Sequence, residues 1–320
     1  MAALRLALAL MLLATALLAA CAQPAASYPE KPVTMIVLDP AGGATDQAAR
    51  PLVEAAKPYF PQPIAIVNRP GGGGTVAASE VVQAKPDGYT IGLQAVGAMA
   101  LQPQRVALPY KTVADYRPVI NLVYQPLVFA VRADAPWRTM AELLAYAKAN
   151  PSKVRVGIPG VGTIAEIIVA QLRAQAGADL RQVPFTSAPE TVTALLGGQM
   201  EAAIVGTPPL VGQVQAGRLR VLGVFEEQRD PVFPDAPTLR ELGYDITLGG
   251  YFFIIAPKGT PDAVVQTLHD AFKRALESES FQKAAKASGF VVDYRGPADL
   301  TSRLERDYAV FGEMAKLLEQ

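Results

Sequence analysis

The segment from Val33 to Asp46 joins an apolar run to a turn of small residues, and such a turn can bind a ligand. Gly42 and Gly43 allow the main chain to take positive φ and to approach a ligand closely. Thr45 or Asp46 can cap a helix that begins there, and a helix start presents free N–H groups with partial positive charge. This chemistry favours an anion. An ordinary strand-to-helix turn explains the segment equally well when it is taken alone.

Three other turns of similar composition follow predicted strands, at residues 69–75, 157–163 and 206–209. Ligands of open parallel sheets bind beyond the carboxyl ends of the strands, at points where the chain changes direction. Each turn alone is explained by sharp strand-to-helix geometry. The four together predict a ligand that is held largely by main-chain atoms.

Charge and composition exclude several functional classes. The chain of 320 residues has 29 basic and 29 acidic residues, so no net field favours nucleic acid or an anionic membrane. Alternating β-branched runs and alanine-rich stretches predict an α/β fold with mainly parallel sheets. The length suffices for two medium α/β domains or one large one, and we expect a monomer.

Motifs for catalysis and for cofactors are weak or missing. Gly72-x-Gly74-x-x-Ala77 fits a dinucleotide pattern only because a glycine run fits almost any such pattern. No glycine turn continues into the Gly-Lys-Ser/Thr of a P-loop. His269 is the only histidine and lies in a predicted helix, without a nucleophile elbow elsewhere. We therefore expect no enzyme activity, no cofactor and no metal site.

The first residues predict export from the cytoplasm. Arg5 precedes an apolar run at residues 6–20 that is typical of a signal peptide, which we assign to residues 1–20. The sequence Leu18-Ala-Ala-Cys21 has the form of a lipobox, so Cys21 is the expected lipidation site; ordinary cleavage after Ala22 is the alternative. Cys21 is the only cysteine, which excludes an intrachain disulfide. Residues 21–27 are predicted to be a tether in the periplasm.

Hydrophobic runs and capping patterns place the secondary structure. Strands are predicted at residues 33–38, 64–68, 90–94, 127–132, 154–158, 202–205, 219–224 and 251–256. Helix starts are predicted where Thr or Ser precedes Glu by three residues: Thr139, Thr163, Ser187 and Thr238. Thr260-Pro261 predicts a fifth start. Pro51 should bend or shorten the helix that follows Asp46.

A series of short motifs across residues 28–320 closely resembles one family, the substrate-binding proteins of tripartite tricarboxylate transporters (TctC or Bug family). The order and spacing of these motifs carry the resemblance. They are Tyr28-Pro-x-Lys-Pro-Val, Pro40-Ala-Gly-Gly-x-x-Asp46-x-x-x-Arg50, Val67-Asn-Arg-Pro-Gly71, Pro86-Asp-Gly-Tyr-Thr90, Leu108-Pro-Tyr110, Asp115-Tyr-x-Pro118, Val183-Pro-Phe185, Leu196-Gly-Gly-Gln199, Ala236-Pro-Thr-Leu-x-Glu-x-Gly243 and Ala256-Pro-x-Gly-Thr-Pro261.

The resemblance implies a type II periplasmic-binding-protein fold, in which two α/β domains joined by two crossing strands close on a ligand. The crossings are expected near Tyr124 and Gly249, which gives domain I as residues 28–123 plus 249–320 and domain II as residues 124–248. The implied ligand is a small organic carboxylate, commonly held through ordered waters, and the implied partners are inner-membrane subunits of a tripartite tricarboxylate-type transporter. A sensor subunit that presents its ligand to a membrane signalling protein is the alternative.

The expected ligand-binding residues follow from these turns and from the resemblance. They are Asp39, Ala41, Gly42, Gly43, Thr45, Asp46, Gly97, Ala98, Gly160, Val161, Gly162, Thr163, Phe185, Ser187, Gly206 and Thr207. Four positions depart from the family pattern: Asp39 replaces an aromatic residue, Phe185 a tyrosine, Ser187 a glycine and Val67 an acidic residue. A carboxylate at Asp39 should repel a second negative charge on the ligand and attract a hydrogen-bond donor or a cation. The alternative is that Asp39 turns away to cap a neighbouring turn.

Overall fold

The computed structural model describes residues 28–318, so the predicted signal peptide and Cys21 lie outside the described residues. Eleven strands occur within this range. They are β1 (Val33–Val37), β2 (Ile64–Asn68), β3 (Thr90–Ala95), β4 (Tyr116–Gln125), β5 (Leu127–Arg132), β6 (Val154–Ile158), β7 (Leu180–Pro184), β8 (Ala202–Gly206), β9 (Leu219–Val224), β10 (Gly250–Pro257) and β11 (Val291–Arg295).

Nine α-helices accompany these strands between residues 28 and 318. They are α1 (Ala44–Ala56), α2 (Thr75–Val82), α3 (Met140–Ala149), α4 (Ile164–Ala176), α5 (Ala188–Leu196), α6 (Val211–Gln215), α7 (Asp262–Glu277), α8 (Glu279–Ala287) and α9 (Pro297–Ala315). None of these helices is both long enough and apolar enough to cross a bilayer.

The strands form two sheets. The first has the order β11-β4-β10-β3-β1-β2 and the second has the order β7-β6-β8-β5-β9. In the first sheet β1, β2 and β3 are mutually parallel, and in the second sheet β6, β7 and β8 are parallel. Each parallel set therefore brings the turns that follow its strands to one edge of its sheet. The two-domain α/β fold is confirmed.

The sheets are mixed, so the prediction that they are mainly parallel is wrong. Four strand pairings are parallel and five are antiparallel in the described part of the chain. The antiparallel pairings all involve β4, β5 or β10. These are the strands beside the connections between the sheets, and their reversed direction follows from a chain that leaves one sheet and later returns.

All eight predicted strands occur with bounds within one residue, and three strands were missed. β4 contains Pro118, which argues against a strand in the sequence because proline cannot donate to a neighbouring strand. In the fold, the register of the β4 and β10 pairing shifts between Ile254 and Ile255, beside Pro118. β7 and β11 are edge strands with several polar residues, so their apolar pattern is weak.

The helices differ from the predictions in several places, and packing and local hydrogen bonds explain these differences. α1 runs through Pro51 for 13 residues, so it is not short, and its Leu52 is fully buried against the core. Thr139 and Ser187 cap α3 and α5 as predicted. The Thr163 hydroxyl donates instead to the Gly160 carbonyl. Thr238 and Glu241 form the predicted reciprocal hydrogen bonds, but these close a turn and not a helix.

A half-buried pair of side chains lies where the chain passes between the sheets. Tyr124, near the end of β4, donates its hydroxyl to the Glu226 carboxylate, which follows β9. Gly249, just before β10, lies so close that a Cβ atom there would be 1.8 Å from the Tyr124 hydroxyl oxygen. The pKa of Glu226 is raised to about 7, chiefly by burial and also by the nearby Asp230 and Glu227 carboxylates, while the Tyr124 hydrogen bond acts to lower it.

We expect Glu226 to make stability depend on pH near neutrality. The pKa of Glu226 is higher in the folded protein than in the unfolded chain, so its stabilising contribution is complete below about pH 4.5 and is lost as pH rises to about 7. Relative to Glu226→Gln, the wild type should lose on the order of 2–3 kcal/mol of unfolding free energy across that window. Urea unfolding of both proteins at a series of pH values measures the difference, and parallel curves would contradict it.

Candidate functional site

A cavity of about 940 Å³ lies between the edges at which the two parallel sets of strands end. The first sheet contributes the residues that follow β1, β2 and β3. The second sheet contributes the residues that follow β6, β7 and β8, and the crossover residues Gln125 and Gly250 complete the wall. The strand-end geometry predicted from the glycine turns is therefore the geometry that forms the cavity.

Nine of the predicted site residues lie on the cavity wall. They are Asp39, Thr45, Gly97, Ala98, Gly160, Val161, Thr163, Phe185 and Gly206. The other seven do not line the cavity. They are Ala41, Gly42, Gly43, Asp46, Gly162, Ser187 and Thr207.

Several wall residues were not predicted. They include the glycine run Gly71–Gly74, the helix starts Ala44, Ile164 and Ala188, the crossover residue Gln125, and the apolar residues Leu38, Leu127 and Phe252. The glycine run was noted as a turn and could have been assigned to the site, since β2 is parallel to β1. The apolar wall residues carry no signal in the sequence, because they resemble core residues.

The Asp46 carboxylate stabilises the turn that leads into α1 and does not line the cavity. It accepts hydrogen bonds from the Gly42 N–H at 2.8 Å, from Asn68, and from both Nε and Nη2 of Arg50. Burial acts to raise the pKa of Asp46, but these hydrogen bonds and the Arg50 charge outweigh it and hold the pKa below its usual range. Asp46 is therefore a neutralised structural group at the start of α1.

Asp39 lies on the cavity wall and also caps α1. Its Oδ2 accepts hydrogen bonds from the Thr45 N–H at 2.8 Å and from the Thr45 hydroxyl at 2.7 Å. Burial raises the pKa of Asp39, the Thr45 hydrogen bonds oppose the rise, and the nearby Asp46 charge adds to it. No ion pair between residues 28 and 318 includes Asp39. Asp39 thus places a carboxyl group without a counter-charge at the cavity.

Position 43 requires glycine because there is no room for a side chain, and not because of the predicted positive φ. Its φ is −69°, an ordinary value, whereas Gly42 has φ of +80°. A Cβ atom at Gly43 would lie 2.5 Å from the Asp39 Cβ and 3.0 Å from the Pro40 carbonyl oxygen. Gly43 therefore allows Asp39 to fold over the start of α1.

Two side chains from the first-sheet side reach across one edge of the cavity. Gln102 Nε2 donates to the carbonyl oxygens of Val161 at 3.1 Å and Gly72 at 3.2 Å. Arg105 pairs with Glu166 at 2.7 Å, and the same carboxylate accepts the Gly162 N–H. Gly162 has φ of +75°, and a Cβ atom there would lie 1.8 Å from Gln102 Nε2. Gly162 therefore belongs to the bridge between the two edges and not to the cavity wall.

The ionisable side chains on the cavity wall are all acidic among the residues described. The wall has no Lys, Arg or His among the residues described, and its only ionisable side chains are Asp39 and Glu190. Glu190 is exposed and accepts hydrogen bonds from the Thr186 N–H and hydroxyl, which lower its pKa. An anion in this cavity must therefore be bound by main-chain N–H groups and neutral side chains.

Main-chain N–H groups at the helix starts are not equally free. At α1, Asp39 occupies the Thr45 N–H, Asp46 occupies the Gly42 N–H, and the Pro40 carbonyl occupies the Gly43 N–H, whereas the Ala44 N–H has no acceptor among residues 28–318. At α4 and α5, the N–H groups of Ile164 and Ala188 likewise have no acceptor in that range, and all three residues line the cavity. The second-sheet side is the better site for a carboxylate, because at α1 the Asp39 carboxyl group already occupies the neighbouring Thr45 N–H.

Within residues 28–318 no group of three or more His, Cys, Asp or Glu side chains could hold a metal ion. His269 lies in α7, where Nδ1 contacts Asp270 at 2.9 Å and Nε2 contacts the Tyr294 hydroxyl at 3.1 Å. His269 does not line the cavity.

The fold and the cavity are those of a two-domain solute-binding receptor, and the comparisons give its family. The profile described as tripartite tricarboxylate transporter family receptor (TctC) matches residues 48–309. The chain is 36% identical over 275 residues to the UPF0065 protein in the gbd 5′ region of Cupriavidus necator, covering 85% of this chain and 84% of that one. The chain therefore belongs to the TctC family.

Solved structures agree with this assignment. MatC from Rhodopseudomonas palustris with bound malate is 28% identical, with a TM-score of 0.84, covering 90% of this chain and 100% of that chain. An R. palustris protein with adipate is 27% identical, with a TM-score of 0.85, covering 91% of this chain and 98% of that chain. The family is one of solute-binding receptors and not of enzymes.

We expect Gly43→Ala to displace Asp39 from Thr45, because the new Cβ overlaps the Asp39 side chain. Such overpacking costs about 1–3 kcal/mol of unfolding free energy. Gly212→Ala in α6 is the matched control, because no atom lies within 4 Å of its added Cβ. Urea unfolding should show a loss for Gly43→Ala and no loss for Gly212→Ala. Equal stability of the two variants would contradict the packing.

Proposed function

We propose that the chain is a periplasmic receptor that captures a small organic carboxylate in the 940 Å³ cavity and delivers it to a tripartite tricarboxylate-type transporter. The observation that carries the proposal is a cavity without basic side chains in the described chain, onto which the starts of α1, α4 and α5 open. Relatives bind malate and adipate, which are carboxylates of a size that such a cavity accommodates.

We further propose that the carboxylate binds at the starts of α4 and α5. Free N–H groups at Ile164 and Ala188 can donate to it, and the partial positive charge of each helix start favours an anion. This arrangement avoids burying an ion pair, whose desolvation can exceed its Coulombic gain. Gln125 is buried, lines the cavity and has no side-chain hydrogen bond in the described structure, so its amide is available to the ligand.

Capture proceeds by closure of two domains about the crossovers. The domains are residues 28–123 plus 249–320 and residues 124–248, so that each contains one of the two sheets except for the last two residues of β4, which cross into the second domain. The Gln102 and Arg105 contacts across the cavity edge support closure, because they can form only when the two edges approach. The chain performs no catalysis in this role. A receptor that presents its ligand to a membrane signalling protein would use the same site.

A thermal-shift screen tests the function. Malate, adipate and a panel of monocarboxylates should raise the melting temperature where they bind, because a ligand that binds only the folded state stabilises it. The amides of the same acids are the controls, since they keep the size and lose the charge. Melting temperatures that respond to no carboxylate would overturn the proposal.

We expect Ala188→Pro to weaken binding of any carboxylate found in that screen by about tenfold or more. Proline is well tolerated at the first position of a helix and removes only the N–H, and Ser187 already has an extended conformation that suits a following proline. Glu279→Pro at the exposed start of α8 is the matched control. Calorimetry should show unchanged affinity for Glu279→Pro. Unchanged affinity for Ala188→Pro would place the carboxylate elsewhere.

We also propose that Cys21 carries a lipid that anchors the receptor to a membrane. Wild-type protein should then fractionate with membranes, and Cys21→Ser should release it or stop its processing, because the anchoring chains are attached to that sulfur. Fractionation followed by mass spectrometry of the first residue provides the measurement. Wild-type protein that is wholly soluble and begins at Gln23 would contradict the anchor.

A further inference from the structure

The two sides of the cavity differ in the hydrogen-bonding groups that they offer, and the proposed function does not explain this difference. On the second-sheet side, the N–H groups of Ile164 and Ala188 are free. On the first-sheet side, the N–H of Ala44, the first residue of α1, also has no acceptor among residues 28–318, but the Asp39 carboxylate accepts hydrogen bonds from the N–H and the hydroxyl of the next residue, Thr45. One side of the cavity therefore offers donors alone, and the other combines a donor with the Asp39 carboxyl group.

Asp39 differs from Asp46 and Glu166, which also lie near helix starts, in having no counter-charge in the described structure. Asp46 is paired with Arg50, and Glu166 is paired with Arg105. Asp39 has only the neutral Thr45 as a partner in the described structure, and it lines the cavity where the other two do not. Its second oxygen, Oδ1, has no hydrogen-bond partner among residues 28–318 and can accept one from a ligand.

We propose that the cavity selects a ligand with one carboxylate and, at its other end, a hydrogen-bond donor that Asp39 accepts, and that it discriminates against dicarboxylates. The inference rests on the proposed function, since it assumes that the cavity binds carboxylates. A second carboxylate would lie near Asp39 in a cavity whose described wall has no Lys, Arg or His, where the repulsion is weakly screened. An ammonium or hydroxyl group would instead donate to Asp39. Apolar wall residues such as Leu38, Leu127 and Phe252 suit the hydrocarbon between the two ends.

Three acids with the same six-carbon chain test this selection: adipate, 6-hydroxyhexanoate and 6-aminohexanoate. They share one carboxylate and differ only in the other terminal group. Calorimetry at about pH 8 keeps the amine protonated and lies well above the usual range of a carboxyl group. Wild-type protein should bind 6-aminohexanoate most tightly, 6-hydroxyhexanoate next and adipate at least tenfold more weakly than 6-aminohexanoate.

Asp39→Asn tests the residue, because an amide oxygen can still accept from Thr45 while the negative charge is lost. It should reduce the ratio of 6-aminohexanoate to adipate affinity at least fivefold. Glu190→Gln is the matched control: it removes the other wall carboxylate, which is exposed and already bonded to Thr186, and should change the ratio less than twofold. A melting temperature for each variant shows whether it folds, and the wild-type ranking tests the inference without any variant.

Two kinds of failure are distinguishable. If adipate binds wild-type protein most tightly, or if Asp39→Asn leaves the ratio unchanged, this inference is wrong and the carboxylate receptor remains. An equal effect of Asp39→Asn and Glu190→Gln would also overturn it, because the selection would then come from general charge. A lack of binding by all three acids, with no response to any carboxylate in the thermal-shift screen, would overturn the proposed function itself.

Discussion

A carboxylate that leaves water for a largely apolar cavity must recover its hydration from hydrogen bonds, and this requirement organises the structure. The cavity wall has no basic side chain among the residues described, so the donors are main-chain N–H groups and a few neutral side chains. Helix starts supply free N–H groups of this kind. Parallel strands are what bring several helix starts to one edge of a sheet, and two such edges face each other here.

The carboxylates of the chain itself decide which helix starts remain available. Asp46 and Glu166 each bind an N–H of a glycine turn and are neutralised by an arginine outside the cavity wall. They stabilise the turns without adding charge to the cavity. Asp39 occupies the start of α1 from the cavity side and has no counter-charge in the described chain. The same type of interaction thus stabilises a turn with a paired carboxylate in two places and leaves a carboxyl group without a counter-charge at the cavity in a third.

The bridge of Gln102 and Arg105 connects the two edges of the cavity. Glu166 lies in the first turn of α4, so its pairing with Arg105 holds the helix whose first residue lines the cavity. The proposed closure would therefore be coupled to the proposed carboxylate site. Tyr124 and Glu226 lie elsewhere, where the chain passes between the sheets.

Periodicity and turn chemistry predicted most of the fold. Strands such as β1 and β6 are apolar runs that end in glycine turns, and local sequence suffices to place them. β4 could not be predicted, because Pro118 argues against a strand and only its pairing with β10 and β11 outweighs that signal. Thr238 is the opposite of β4: its local signal for a helix start is present and its capping hydrogen bonds form, but no helix follows.

The site was predicted less completely than the fold. The turns around Asp39 and Gly160 were placed at the cavity from sequence, because strand ends fix their position. The exact roles of Gly43 and Gly162 depend on side chains from elsewhere, Asp39 in one case and Gln102 in the other. Gln102 lies 60 residues from Gly162 in the chain, and no local pattern could show that they touch. Long-range contacts of this kind become visible only in the folded structure.

A crystal structure of the complex with 6-aminohexanoate would show which helix starts bind the carboxylate. We expect the carboxylate within about 3.2 Å of the N–H groups of Ile164 or Ala188, which is hydrogen-bond distance, and the ammonium group against Asp39. A carboxylate bound beside Thr45 at the start of α1, or bound by a lysine or arginine outside the cavity, would contradict it.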